Sequence, residues 1–375
     1  MALPQQERIQ AASVIDRVPR WDNVRALSAT LIVVLHTTGP AVPEGGLLET
    51  FNITMWPLRV PAFVILAGVF SQGSRLDSRY ARALVGRIIV PATLCWILLS
   101  TEKVLLGMEF TFHLSRWPWT LWFLMALLWW RLLLPLITQL QYPLLCTTGL
   151  ALAAGYFGEI GDNYAGARTL MYLPLFYLGW RLGQGTLFAS WFTSRHTLPI
   201  AWAGLIAGLA GAFLVWRPWP HSAVPYEDVP LPIELAWFPR LFILVASAAL
   251  VLCLLRVTPN RRIPYITSMG AAGFTIYLLH PLFIRPFLVL GYADRIDTRS
   301  EQAVMFLSAV ALAAILGSPL VRRLARPLTR PPIDRFLFKP KPKTPAPAPV
   351  PQSPQSPQSP QSPQSPQSPP RELVG

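Results

Sequence analysis

RWDNVRALSATLIVVLH, residues 20–36, opens on Arg20, Asp22 and Arg25, runs apolar from Ala26 to Leu35 and ends on His36. A basic head followed by an apolar run has the outline of a secretory signal, which also needs a small-residue cleavage site close behind it. No A-x-A-like site follows within reach, and further apolar segments recur along the chain. The stretch therefore reads as a first transmembrane helix that stays in place. Its apolar run is short because something polar interrupts it.

Crossing a hydrocarbon layer of about 30 Å takes about 20 residues of helix. Outward from the first helix, placed at 24–42, apolar runs predict nine more at 55–71, 87–106, 121–137, 144–158, 169–182, 198–216, 235–255, 269–291 and 302–321. Composition agrees: 53% of the 375 residues are hydrophobic and 13% are charged, whereas soluble chains carry about a quarter charged residues. The 14 Trp and 19 Phe add apolar bulk, and Trp is favoured at membrane interfaces. The expected fold class is all-α, a polytopic transmembrane bundle of about ten helices.

Orientation follows from Lys and Arg, which stay on the cytoplasmic side of short loops. Arg8, Arg17, Arg20 and Arg25 precede or open the first helix, and Arg75, Arg79, Arg82 and Arg87 lie between the second and third. Arg256, Arg261 and Arg262 follow the eighth, and Arg322, Arg323, Arg326, Arg330 and Arg335 follow the last. The alternate loops differ: residues 39–54 hold no Lys or Arg, and 158–167 hold Glu159 and Asp162 without a base. Both termini are expected in the cytoplasm. The net charge of +14 is explained by these loops, which sit against anionic headgroups, so no nucleic-acid partner is expected.

Three regions follow: a cytoplasmic segment 1–23, a transmembrane domain 24–321, and a tail 322–375 that is basic and then rich in Pro, Gln and Ser. The Pro-rich stretch 217–234 is expected over the outer face. Six Gln-Ser-Pro units between Gln352 and Pro369 have no apolar surface to bury and favour extended, disordered chain. Their partner is unknown. Cys95, Cys146 and Cys253 fall in predicted helices with no C-x-x-C pair, which argues for packed apolar thiols over metal or redox chemistry.

Ionisable groups inside a bilayer are expensive and usually functional. His36 stands eleven residues beyond Arg25, about 16 Å deeper along a helix and on nearly the same face. A cation at the rim and an imidazole deep in one groove suit a ligand with an anionic head and a reactive end. The competing reading is a core histidine that packs helices together. His113, His196 and His221 fall in loops, and Asp22 is expected to pair with Arg20 or Arg25.

Arg25, ten residues and His36 resemble the R-x10-H signature of the membrane-bound O-acyltransferases called acyltransferase family three. Asp22-Asn23-Val24-Arg25 resembles the family's opening. Arg59-Val60-Pro61-Ala62-Phe63 through Gly68 resembles its second helix, with Ala67 where the family has Ser. Residues 119–124 (WTLWFL) are similar to its LWFL element, Leu173–Gly179 to its PFFLLG, and Ile276-Tyr277-Leu278-Leu279-His280-Pro281 to its YLLH-P. The matches run in family order over about residues 20–292 and lie nearest the fucose 4-O-acetylase-like branch. Before the third helix, where the family has an R-x-x-R pair, Leu84 takes the first place and Arg87 the second; Arg79 and Arg82 give that spacing one turn earlier. No appended esterase-like domain is expected.

The resemblance implies a multi-pass plasma-membrane enzyme that moves an acyl group, acetyl above all, from acyl-coenzyme A to a hydroxyl of a sugar-containing acceptor. That acceptor would be a surface polysaccharide, a lipid-linked sugar or a glycosylated metabolite. No bound cofactor or metal is implied; acyl-coenzyme A is a co-substrate. His36 would be the base, since imidazole titrates near neutrality, and a transient acyl carrier is the lesser alternative. Arg25, Arg82 and Arg87 would meet the donor's phosphates. Arg59, expected at the outer end of the second helix, would orient the acceptor or stabilise the oxyanion, unless it only snorkels. Tyr277 and His280 would position the acceptor, or His280 would simply tie helices together. A secondary transporter or flippase is the rival function, although no internal repeat is visible. A scaffold for the proline-rich tail would leave Arg25 and His36 unexplained.

Overall fold

The computed structural model describes residues 18–41, 46–71, 77–109, 115, 117, 119–161, 163–185, 187–215, 225–332 and 337–338. Arg8, Arg17, Arg75, His113, Asp162, His221, Arg335, the Gln-Ser-Pro repeat and the first part of 217–234 lie outside the described residues. Two units are distinguished, Met1–Asp334 and Arg335–Gly375, and every helix named below belongs to the first.

The helices are α1 Pro19–Thr38, α2 Leu47–Thr54, α3 Trp56–Val69, α4 Ser78–Leu84, α5 Val90–Leu105, α6 Trp122–Ile137, α7 Pro143–Ala153 and α8 Gly166–Gly183. They continue as α9 Ala189–Thr193, α10 Thr197–Val215, α11 Trp237–Val257, α12 Pro264–Ala271, α13 Gly273–Val289, α14 Arg299–Leu316, α15 Pro319–Leu324 and α16 Arg326–Thr329. No strand occurs among the described residues. All ten segments picked out by hydropathy are helical over most of their length.

Five helical stretches are long and apolar enough to cross a bilayer: Leu47–Val69, Ser78–Leu105, Thr197–Leu214, Trp237–Val257 and Arg299–Leu316. The pair α12–α13, bent by 76°, makes a sixth if it is one span. α6 and α7 are apolar but shorter. α1 and α8 carry the charges of Arg20, Asp22 and Arg25, and of Arg168 and Arg181. In α1 Asp22, Asn23 and Ser28 are buried, while Arg20 and Arg25 are half-buried.

Boundaries differ from expectation in three places, and the burial of one cysteine in a fourth. α1 starts at Pro19, whose fixed φ suits a helix's first turn, so Arg25 falls in its second turn and not at its first residues. The second span begins at Leu47, with a joint at Met55, instead of at 55; Arg59 therefore lies in mid-span. The ninth helix is broken at Ala272. Cys146 is exposed while Cys95 is buried, because α7 buries only Thr147 and Ala151.

Close helix packing rests on glycine, as is common where a lipid-facing bundle relies on close backbone approach. α3 and α8 run parallel: a Cβ on Gly179 would meet the Ile65 carbonyl oxygen at 1.9 Å, one on Gly68 the Phe176 oxygen at 2.1 Å, and one on Gly183 the Val69 oxygen at 2.6 Å. α12 is pressed against α1 in the same way, with Gly270 facing the Asp22 carbonyl. Between α4 and α5 the helix widens into a π turn, Val85–Ile89. Pro91 lacks the N–H that would bond the Arg87 carbonyl, and such turns recur at functional sites.

Candidate active site

The first turns of α1 are anchored to the segment before α12. Arg20 Nε donates to the Thr258 carbonyl (3.2 Å), and Asn23 Nδ2 donates to the carbonyls of Pro259 and Arg261 (3.1 Å each). Asn23 Oδ1 accepts from Thr267 Oγ1 at 2.6 Å. Arg25 is held on three sides. Its Nη2 pairs with Asp22 Oδ1 at 2.5 Å, and its guanidinium lies 4.0 Å above the Phe70 ring. Its methylenes fill the space opposite Gly273, where a Cβ would come within 2.9 Å of Cγ. The break between α12 and α13 is thus the surface on which Arg25 rests.

Farther along α1, His36 Nδ1 lies 2.9 Å from His280 Nε2 of α13, and the two rings are 12° from parallel. His280 is fully buried. Its Nδ1 lies 3.1 Å from the Ile276 carbonyl. A carbonyl only accepts, so His280 Nδ1 carries the proton, and in the neutral ring Nε2 is then an acceptor. His36 Nδ1 must donate to it. Hydrogen bonding thereby assigns the tautomer of His36: the proton is on Nδ1 and the lone pair on Nε2.

Arg59 is 4% exposed, so it does not snorkel. Its carbonyl accepts from Ser28 Oγ at 2.7 Å, which sets α3 antiparallel beside α1, and its guanidinium is within electrostatic reach of His36. Arg59 Nε and Nη1 are buried without a hydrogen-bond partner. Tyr277 donates to the Thr120 carbonyl, and its ring lies 5.9 Å from Phe63 and 5.3 Å from Phe123. These rings wall the side of His280.

Arg82 and Arg87 lie on the α4–π-turn segment, Arg87 exposed and Arg82 half-buried. Arg131, at which no role was aimed from the sequence, joins this group: its Nε donates to Ser71 Oγ (3.1 Å), and Tyr80 donates to its carbonyl (2.7 Å). Arg87 is within electrostatic reach of it. Ser71 follows Phe70, the ring beneath Arg25, so Arg131 links the Arg25 and Arg87 neighbourhoods.

The structure therefore brings His36, His280, Tyr277 and Arg59 together, and places Arg25 toward the opposite end of α1. Three groups escaped sequence reasoning besides Arg131. Arg168 stands just before the predicted helix 169–182, Arg240 lies inside the predicted helix 235–255, and Tyr172 reads as core. Cys95, a packed thiol, is 3.4 Å from the Leu278 carbonyl. A mostly apolar groove of about 650 Å³ runs between α13 and α14 and reaches Thr37, next to His36. Among the described residues no cluster of three or more His, Cys, Asp or Glu is arranged to hold a metal.

Compared with known proteins, residues 18–321 match the family model described as an acyltransferase domain, that of acyltransferase family three. No curated protein and no solved structure matches the chain.

Proposed function

The chain belongs to acyltransferase family three, and from that premise we propose that it is a plasma-membrane O-acyltransferase moving an acyl group, acetyl above all, from acyl-coenzyme A to a sugar hydroxyl. The observation that carries this reading is the hydrogen-bonded series from the Ile276 carbonyl through His280 to His36. It leaves His36 Nε2 as the basic nitrogen of a ring fixed in orientation, which is what a general base requires.

In the proposed step, His36 Nε2 takes the proton of the acceptor hydroxyl as its oxygen attacks the thioester carbonyl. The C–S bond then breaks, and the coenzyme A sulfur leaves with the proton returned by the imidazolium. Arg59 orients the acceptor or stabilises the oxyanion. His280 is a positioning residue, and Tyr277 holds the aromatic wall. Arg25, with Arg82 and Arg87, receives the donor phosphates at the cytoplasmic rim; Arg131 adds to the same charge.

Purified full-length protein in lipid nanodiscs, given radiolabelled acetyl-coenzyme A and a panel of sugars, should release free coenzyme A and label a sugar. His36→Ala should lower the rate of the folded protein about a hundredfold or more. Absence of transfer and of thioester hydrolysis with every acceptor, together with flux of a solute across the bilayer, would replace this reading with transport.

A further inference from the structure

The buried cation that the acyl-transfer step does not fully use is Arg59. No carboxylate stands within ion-pair distance of it among the described residues, and two of its nitrogens lack any acceptor. An uncompensated guanidinium in a bundle core is strongly unfavourable, so the geometry points to an anion that completes the site. Its surroundings agree. Arg59, Arg168 and Arg240 are the cations that act on the Tyr172 hydroxyl; Arg240 is held there by donating Nη1 to the Ala151 carbonyl (3.1 Å) and lying 4.5 Å over the Tyr226 ring. Tyr172 and Arg240 are themselves buried.

The walls are aromatic. Trp122 and Trp56 flank Tyr172, with ring centroids 6.0 and 6.4 Å away, and the Arg168 guanidinium lies 5.3 Å over Trp122. Apolar faces of a pyranose ring stack on such surfaces, while arginine forks take carboxylate or phosphate oxygens. Arg168 and Arg240 stand in the first turns of α8 and α11, where the positive ends of the helices favour a neighbouring negative charge.

We infer that Arg59, Arg168, Arg240 and Tyr172 form an anion-binding subsite, and that the acceptor is an acidic saccharide bearing a carboxylate or phosphate. The inference rests on the acyl-transfer reading for the word acceptor, and on the buried charge for the word acidic. It assigns Arg59 to substrate binding over oxyanion stabilisation.

The test uses p-nitrophenyl glucuronide, p-nitrophenyl glucoside and glucose 1-phosphate with the full-length protein in nanodiscs. Binding is read by thermal shift and transfer by acetyl-coenzyme A turnover. The glucuronide or the sugar phosphate should bind roughly ten- to a hundredfold more tightly than the glucoside; which of the two wins identifies the anion. Arg59→Gln should erase that preference, raising KM for the acidic sugar without raising KM for acetyl-coenzyme A. Arg168→Gln and Tyr172→Phe, less disruptive changes, should weaken it and keep the reading testable if Arg59→Gln fails to fold. Equal affinity for charged and neutral sugars, or an Arg59→Gln variant with lower kcat for every acceptor and unchanged preference, would overturn the inference while leaving acyl transfer standing. Selective binding of an acidic sugar with no transfer would uphold the subsite and remove the enzymatic reading.

Discussion

At the scale of the residue, the site depends on which nitrogen carries a proton. The Ile276 carbonyl commits His280 Nδ1, His280 Nε2 commits His36 Nδ1, and the lone pair of the proposed base is left on His36 Nε2. Losing the middle member would free the His36 ring to rotate and to change tautomer. His280→Ala should therefore cut kcat roughly ten- to a hundredfold with KM for both substrates unchanged; His280→Gln, whose amide oxygen can accept from His36, should recover part of it. A purely structural His280 would instead lower the unfolding temperature and leave kcat of the folded fraction intact. Tyr277→Phe is a separate case. The buried Thr120 carbonyl would lose its donor, so stability should fall by about 1–3 kcal/mol, read as a lower unfolding midpoint in detergent. The separation of Arg25 and His36 on one face was legible from spacing alone, because eleven residues make three helical turns. The pairing of His36 with His280 was not, since nothing local relates positions 244 apart in the chain.

At the scale of the element, apolar periods locate helices well and their joints poorly. Residues 47–54 contain Glu49 and Asn52 and read as loop, yet Asn52 Nδ2 donates to Thr38 Oγ1 at 3.0 Å, so a partner on α1 satisfies what looks like a polar interruption. The break at Ala272 was equally hidden, because it lies inside an unbroken apolar run. Its cause is tertiary: Gly270 abuts the Asp22 carbonyl and Gly273 abuts Arg25, so α12 and α13 each lie against a different part of α1. The parallel α3–α8 pair carries the sharpest consequence. Gly179→Ala would drive a methyl into the Ile65 carbonyl, and backbone cannot step aside as a flexible side chain can. Overpacking of this kind costs about 1–3 kcal/mol, sometimes more, and should appear as a large drop in folded yield. Gly149→Ala, with nothing within 4 Å of the new atom, should leave yield unchanged. If both variants behaved alike, the close α3–α8 approach would be wrong.

At the scale of the whole molecule, membrane embedding and an acyltransferase family follow from independent sources, a run of apolar helices and a family match over residues 18–321. The sidedness of the bundle comes from neither. It is an expectation drawn from the alternation of basic loops with the base-free stretches 39–54 and 158–167, and the proposed chemistry needs it, because coenzyme A is a cytoplasmic donor and a surface glycan is an external acceptor. Packing directions are consistent with that alternation. α1 and α3 are antiparallel, joined at Ser28–Arg59 and Thr38–Asn52, while α3 and α8 are parallel, as the second and sixth crossings of one bundle must be. Arg25, Arg131 and Arg87 then share one end, and the Glu159 and Glu227 loops share the other. In a variant with Cys95, Cys146 and Cys253 replaced by alanine, Glu159→Cys and Glu227→Cys should react with a membrane-impermeant maleimide added to intact cells. Arg261→Cys should react only after the cells are opened. Labelling of Arg261→Cys from outside would invert the bundle, and the proposed phosphate-binding role of Arg25, Arg82 and Arg87 would go with it, since those guanidiniums would then face a compartment without coenzyme A.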